Sequence, residues 1–201
     1  MQAVLRARER RHRIFLMTIG AVVLTWFAGY WALNAHEDSE RKAAAARKHV
    51  RGERLWDADR LTYRHVKGAV DYPMTPPVGG DHDATWMTCD GTVHTRPIRN
   101  ENAVHSLEHG AVWVTYNDTA TATDIKELAD TVTRTPYTMM SPITGQTATI
   151  TLSAWGHQLS VDTASDPRVR QFITVYVQGP QTPEPGAPCT GGLTSRHFHG
   201  H

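Results

Sequence analysis

The sequence predicts an α+β fold: a two-layer domain with a small, mostly antiparallel sheet and two helices, preceded by one transmembrane helix. Three observations predict it. An uncharged run fills residues 14–33 and is long enough to cross a bilayer. Later segments show either period-2 alternation or apolar residues at helical spacing. Their order along the chain, strand, helix, strands, helix, fits one sheet packed against helices.

Residues 1–33 are typical of a membrane anchor. At 1.5 Å per residue, a helix over residues 14–33 would be about 30 Å long, which matches a bilayer core. Because arginines crowd residues 6–13 and acidic residues follow the run, residues 1–13 are expected in the cytoplasm and the rest outside it. A cleavable signal peptide is the alternative, but its apolar region would be only about 7–15 residues long.

The remainder divides into a spacer, a domain and a tail. Residues 34–60 are rich in Ala, Lys, Arg and Glu, which predicts a helical stalk. Residues 61–192 form the expected extracytoplasmic α+β domain, and residues 193–201 a flexible, histidine-rich tail with weak metal affinity. Basic and acidic residues nearly balance, 21 against 20, and nothing indicates a nucleic-acid partner.

The first half of the domain combines an irregular loop, a helix and a buried strand. Prolines and glycines over residues 71–83 exclude regular helix and central strand there. Residues 102–109 are expected to form a short helix that ends at Gly110. Residues 111–116 are rich in Val, Trp and Tyr, which predicts a buried strand.

The second half has clearer periodicity. A helix is predicted over residues 124–134, with Thr121 and Asp124 as alternative N-terminal caps. A second helix is predicted over residues 167–177, capped by Asp166 and with proline in its first turn. Alternation of Thr with apolar residues indicates a half-buried strand. The strands are predicted over residues 137–140, 147–155 and 158–162, with a turn at Gly156 between the last two.

The chain contains two cysteines, Cys89 and Cys189. An even number of cysteines in an exported domain usually forms disulfides, so these two are predicted to be bonded to each other. A thiolate metal site is the weaker alternative.

Histidine is abundant, with 12 residues, and three histidines are candidate metal ligands. His105 and His109 are separated by four positions, which places both imidazoles on one face if the stretch is helical. His82 follows two glycines in the loop, where the backbone can approach a site closely. Three imidazoles suit a copper or zinc ion.

Three further residues extend this candidate site. Met139 and Met140 could add thioether ligands, which favour Cu(I), although methionines in a strand are more often ordinary core residues. Glu108 could orient one of the imidazoles through a hydrogen bond.

Residues 105–109 also match the inverted zinc-protease motif His-x-x-Glu-His. That enzyme class needs a long active-site helix, whereas Gly110 and the strand after it end this helix early. Phosphate-binding, dinucleotide-binding and serine-nucleophile motifs are absent from the sequence. No catalytic residue is therefore assigned.

Together these segments resemble the actinobacterial membrane proteins of domain-of-unknown-function family 3105. The resemblance covers roughly residues 72–192 and implies the same plan of an anchor and an exported domain. It supports the cysteine pairing but implies no activity. The sequence departs from the pattern at Ile143-Thr144, where Tyr-Pro is expected. The residues that carry the resemblance are 72–73, 76–82, Trp86, Cys89, 102–113, 141–142, 154–156 and 179–189.

Three functions remain open at this point. The leading hypothesis is a membrane-anchored domain that binds a transition metal, copper above all, through His82, His105 and His109, for delivery to an envelope protein or for sequestration. The alternative is a metal-free interaction or structural protein whose polar residues brace the long loop. The third is a zinc-dependent hydrolase.

Overall fold

The structure, a computed structural model, describes residues 25–27, 29–31 and 49–194. Residues 25–27 and 29–31 are helical. Among the described residues, no helix has both the length and the apolar character needed to cross a bilayer. The predicted cytoplasmic segment 1–13, most of the predicted transmembrane run 14–33, stalk residues 34–48 and tail residues 195–201 lie outside the described residues.

A mixed, six-stranded sheet forms the centre of the domain, which confirms the α+β class. Its strands lie in the order β1-β6-β5-β3-β4-β2. The strands are β1 (Arg54–Leu55), β2 (Asp90–Val93), β3 (Val112–Tyr116), β4 (Thr138–Pro142), β5 (Ile150–Ala154) and β6 (His157–Val161).

Three α-helices accompany the sheet in the described part of the domain: α1 (Asn100–Glu108), α2 (Ala122–Val132) and α3 (Pro167–Tyr176). Of the two candidate caps for α2, Thr121 is the one observed, and the predicted cap of α3 is confirmed. Thr121 accepts a hydrogen bond from the Asp124 amide at the start of α2. Asp166 accepts one from the Arg168 amide at the start of α3. Both hydroxyl and carboxylate oxygens satisfy amides that have no partner within the helix.

Both parallel and antiparallel pairs occur in the sheet, so the predicted mostly antiparallel sheet is only partly correct. The pairs β1–β6, β3–β5 and β5–β6 are antiparallel, whereas β2–β4 and β3–β4 are parallel. The pair β3–β4 is parallel because α2 returns the chain to the end of the sheet where β3 begins, and β4 starts from that same end.

Helices pack on both faces of the sheet. The domain therefore has three layers, whereas the sequence predicted two. Val112 and Val114 of β3 belong to one hydrophobic cluster, which includes residues of α2 and α3. Trp113, between them, belongs to a second cluster with Val104 and Leu107 of α1. Side chains alternate between the faces of a strand, so these two clusters lie on opposite sides of β3.

The predicted stalk is wrong for its described part, residues 49–60, which belong to the domain. Val50 is buried in the first cluster, and Tyr176 donates a hydrogen bond to Glu53 at 2.5 Å. Arg54 lies opposite Gln158 in the β1–β6 pair. Helical propensity could not reveal this, because the segment's partners are more than 100 positions away in the chain.

Candidate metal centre

A loop and a helix carry the polar side chains that converge beside α1. The loop over residues 71–83 is irregular, as predicted, and ends in an isolated parallel bridge between His65 and His82. The His82 amide donates to the Arg64 carbonyl, and the Val66 amide donates to the His82 carbonyl. These backbone bonds hold the two histidines side by side.

Helix α1 contributes the other two members. His105 and Glu108 are three positions apart on α1, so their side chains project from the same face. Both are almost fully buried, with 5% and 2% of their surfaces exposed. The loop with His82 covers this face, and the Asp83 carbonyl accepts a hydrogen bond from His105 Nδ1.

The four side chains form a compact group of potential ligands. One donor atom from each of His65, His82, His105 and Glu108 lies within 4.8 Å of all the others. The three imidazole rings form a triangle with centroid separations of 4.9–5.0 Å. This group could hold a metal ion.

Backbone carbonyls fix the orientation of two imidazoles. His82 Nδ1 lies 2.8 Å from the Gly80 carbonyl, and His105 Nδ1 lies 2.7 Å from the Asp83 carbonyl. A carbonyl oxygen only accepts hydrogen bonds, so each Nδ1 carries the proton and donates it. Nε2 is therefore the nitrogen that each ring could offer to a metal, an arrangement that metal-binding histidines commonly show.

A buried ion pair lies within the group. His82 Nε2 is 2.9 Å from Glu108 Oε2, and His65 Nε2 is 3.8 Å from the same oxygen. Burial opposes the charged form of both partners, but their mutual hydrogen bond and attraction outweigh it. The pKa of His82 is raised and that of Glu108 is lowered.

His105 differs from His82 although their rings are close. Burial lowers the pKa of His105 to about 4, and the nearby His109 and His82 act in the same direction, against the hydrogen bond to Asp83. His105 is therefore neutral at physiological pH and already has the protonation state that a metal ligand needs.

The predicted third ligand, His109, does not belong to this group. It is the residue after the last turn of α1. Its Nδ1 donates to the Pro188 carbonyl at 2.8 Å, and its Nε2 lies 3.8 Å from Glu184. Its ring packs edge-on against that of His105, with centroids 4.6 Å apart. The C-terminal segment therefore orients His109, and His65 takes the third imidazole position.

The same geometry bears on the protease motif. A His-x-x-Glu-His site needs both histidines on one ion and the carboxylate beside it. Here His105 lies with Glu108 in the group, while His109 contacts the C-terminal segment. The nine-residue length of α1 also falls short of the long helix that this motif needs.

The two methionines lie in the hydrophobic core. Met139 and Met140 are neighbours on β4, so they point to opposite faces of the sheet. Met139 packs in the cluster with Trp113, and Met140 in the cluster with Val112 and Val114. Both are fully buried, and neither belongs to the ligand group. The core interpretation of these residues is the one that the structure favours.

The predicted disulfide between Cys89 and Cys189 is confirmed, and it joins positions 100 residues apart. The Cys89 amide also donates to the Cys189 carbonyl. The bond fastens the segment that contains Pro188 next to α1, where the Pro188 carbonyl orients His109. The disulfide thus supports one side of the helix that carries His105 and Glu108.

His65 was missed by the sequence reasoning. It lies before the proline- and glycine-rich loop, in a stretch without periodic pattern, and no motif includes it. The only signal was the high number of histidines, which does not distinguish one from another. Glu108, predicted to orient an imidazole, does contact His82.

Comparison with known proteins identifies a family. A family model described as "Protein of unknown function (DUF3105)" matches residues 65–191, a range that includes all four members of the ligand group and both cysteines. No curated protein and no solved structure gives a significant match.

Proposed function

The chain belongs to the DUF3105 family of proteins of unknown function, and from its geometry we propose that this domain binds one transition-metal ion through His65, His82, His105 and Glu108. One observation carries the proposal: four donors from three separate parts of the chain lie within 4.8 Å of one another. Three of the four are buried, which solvated surface groups would not be.

The spacing is close to what a single ion requires. With metal–nitrogen bonds of about 2.0 Å, the donors of a tetrahedral ion lie roughly 3.3 Å apart. The contacts from His82 and His65 to Glu108, at 2.9 and 3.8 Å, span that value. The longest separations would have to shorten by about 1.5 Å, which side-chain rotation can supply.

The protein would exchange one proton for the metal. His82 donates from both ring nitrogens in the ion pair with Glu108, so its Nε2 proton must leave before the nitrogen can bind a cation. His105 is already neutral. The negative charge of Glu108 would then partly neutralise the ion that replaces the proton.

The ligand set narrows the choice of metal. Three imidazoles and a carboxylate suit Zn²⁺ and Cu²⁺, whereas Cu⁺ favours the sulfur ligands that this group lacks. Nitrogen and oxygen ligands generally bind Cu²⁺ more tightly than either Ni²⁺ or Zn²⁺. We therefore expect copper to bind this site more tightly than zinc.

Delivery or sequestration of this ion outside the cytoplasm is the role that we propose. The uncharged run over residues 14–33, preceded by arginines, would anchor the domain in the membrane and leave it outside. The disulfide supports this location, because such bonds persist mainly in oxidising compartments. An envelope protein would be the partner that gives or takes the ion.

A metal-free structural role is the second candidate, and one observation favours it. His82 and Glu108 already satisfy each other at 2.9 Å, and the Gly80 carbonyl satisfies the remaining ring nitrogen. A buried network of this kind can brace a loop without any ion. Under this alternative, added metal would not change the thermal stability of the protein.

Metal analysis of the full-length chain in detergent separates the two candidates. All samples carry His197→Ala, His199→Ala and His201→Ala, so that the tail cannot bind metal. After removal of metal with a chelator and reloading with Zn²⁺ or Cu²⁺, we expect one ion per chain and a higher melting temperature.

Two buried ligands and one matched control make the result specific. His82→Gln and His105→Gln should lose the bound ion, whereas His49→Ala should retain it because His49 is exposed and lies outside the group. Circular dichroism checks that each variant is folded. If folded His82→Gln and His105→Gln bound as much metal as the protein without these substitutions, the proposed site would be refuted.

A further inference from the structure

The four ligands differ sharply in exposure. His82, His105 and Glu108 have 0%, 5% and 2% of their surfaces exposed, whereas half of the His65 side chain, 50%, is accessible to solvent. An ion bound among these groups would therefore be enclosed by the protein on three sides. His65 forms the remaining side.

His65 is also the least constrained of the three imidazoles. The second ring nitrogen of His82 and of His105 is bonded to a backbone carbonyl. Within residues 49–194 and the short helical stretch before them, no hydrogen bond holds the second ring nitrogen of His65. Its ring lies parallel to that of His105, with centroids 4.9 Å apart, and this stacking leaves one face open.

The surroundings of His65 are open as well. Tyr63 is 68% exposed, and the Arg64 side chain is 76% exposed although it pairs with Asp81. The chain around His65 is held by its backbone bridge to His82 and by the ion pair of Arg64 with Asp81, while the His65 ring belongs to neither hydrophobic cluster. The ring can thus leave the group without disturbing either hydrophobic cluster.

We propose that His65 is the exchangeable ligand of the site, and that an imidazole nitrogen donor from another molecule replaces it when the ion enters or leaves. This inference rests on the proposed metal site. His82, His105 and Glu108 form the permanent base, and the exposed face at His65 is where a partner protein presents its own histidine.

The exchange is balanced in charge and in bonds. One metal–nitrogen bond forms to the incoming neutral imidazole as the bond to His65 Nε2 breaks. One nitrogen donor replaces another, and no electron is transferred. A histidine of the partner is suited to this step because it has the same donor atom and charge as the ligand that it replaces.

Rescue by free imidazole tests the proposal. The full-length chain with the three tail substitutions is loaded with Cu²⁺ in detergent, and its electron paramagnetic resonance spectrum reports the nitrogen ligands. His65→Gly should weaken Cu²⁺ binding at least about tenfold, since even the loss of a ligand's hydrogen-bond partner costs that much. Millimolar imidazole should restore the affinity and the wild-type spectrum.

The matched variant is His82→Gly, whose vacated position is buried and closed to solvent. Imidazole should fail to restore Cu²⁺ binding to this variant. Transfer of Cu²⁺ to EDTA should also become faster in His65→Gly, and for the wild type it should accelerate as imidazole is added. His65→Gly should fold normally because the side chain is half exposed.

The outcomes separate this inference from the proposed function. If His65→Gly binds and releases Cu²⁺ like the wild type while His105→Gln loses it, the metal site stands and the exchange role of His65 is refuted. Rescue of His82→Gly and His65→Gly to the same extent would also refute it. If none of the variants changes Cu²⁺ binding, the proposed function itself fails.

Discussion

The Nε2 atom of His82 and the Oε2 atom of Glu108 lie 2.9 Å apart, although 26 residues separate them in the chain. Both side chains are almost completely buried. A buried ion pair seldom adds net stability over apolar residues of similar size, because both charges must leave water. Its presence beside two further imidazoles agrees with the proposed metal site.

Removing the charge of Glu108 should destabilise the metal-free protein. In Glu108→Gln the amide oxygen can still accept from His82, but the negative charge that favours the imidazolium is lost. We expect unfolding free energy to fall by about 1–3 kcal/mol and the pKa of His82 to drop below its wild-type value. Urea denaturation and an NMR titration of His82 measure the two effects.

Glu127→Gln is the control for this change, because Glu127 is exposed on α2 and far from the ligand group in sequence. It should leave the urea midpoint unchanged. A Glu108→Gln protein with wild-type stability and an unaltered His82 titration would show that the ion pair has no energetic role.

The stability of the metal-free protein should decrease on acidification below pH 6.5. Unfolded His105 takes up a proton near its ordinary pKa of 6.5, whereas the folded residue does so only near 4. The unfolded state therefore binds more protons between these values, and the contribution of His105 is lost as the pH falls through them. Between pH 7 and 5 this amounts to about 2 kcal/mol.

His82 and Glu108 act in other pH ranges. The raised pKa of His82 gives stability that is complete below 6.5 and is lost as the pH rises through its folded value. The lowered pKa of Glu108 gives stability that is lost only below 4.5. The urea midpoint should thus change less between pH 7 and pH 5 in His105→Gln than in the wild type. The same change in both proteins would show that His105 does not cause the loss of stability.

Loss of the disulfide should have a large effect on folding. Removing a bond between positions 100 residues apart is expected to cost about 4–5 kcal/mol in the chain-entropy model. The double variant Cys89→Ser, Cys189→Ser should therefore unfold at much lower urea than the wild type. A reductant should lower the wild-type midpoint and leave that of the variant unchanged, and insensitivity of both would refute the prediction.

Gly110 should tolerate a side chain less well than another glycine in the same backbone conformation. Gly110 and Gly145 have φ angles of 88° and 84°. A Cβ atom at Gly110 would lie 2.8 Å from Thr182, whereas one at Gly145 would meet nothing within 4 Å. We expect Gly145→Ala to cost about 1 kcal/mol for the left-handed backbone and Gly110→Ala to cost more.

Thermal unfolding of the two variants measures the difference. The added methyl group at Gly110 would press on the C-terminal segment that orients His109. Displacement of this segment should therefore accompany the loss of stability in Gly110→Ala. Equal melting temperatures for Gly110→Ala and Gly145→Ala would show that the segment moves aside without cost.

Much of the regular structure could be predicted because its signals are local. The helices α2 and α3 begin at the predicted caps, Thr121 and Asp166. Strand β5 lies within the predicted strand, and Ile150 and Leu152 belong to the first hydrophobic cluster. All five of its residues are buried, however, so the predicted half-buried character is wrong. Two strands were not predicted. Strands β1 and β2 are short, polar and exposed or half-buried, so neither shows a hydrophobic period.

The candidate site was predicted in part. The sequence predicted that His82 and His105 lie together and that Glu108 contacts an imidazole, and the structure places these three side chains in one group. The group contains His65 in place of His109, because helical spacing favoured His109 and nothing local indicated His65. The position of each ring in the fold decides whether it joins the group, and the hydrogen bond to the Pro188 carbonyl holds the His109 ring outside it.

The sequence by itself determined the α+β class, the existence of the main helices to within about two residues at each end, and the cysteine pair, and it predicted that His82, His105 and Glu108 lie together. Its signals are periodicity, caps and composition, which act between residues close in the chain. Only the tertiary structure decided that residues 49–60 join the sheet, that both faces of the sheet are covered, and that His65 completes the group. Those contacts join residues far apart in sequence, and burial and register settle them only once the chain has folded.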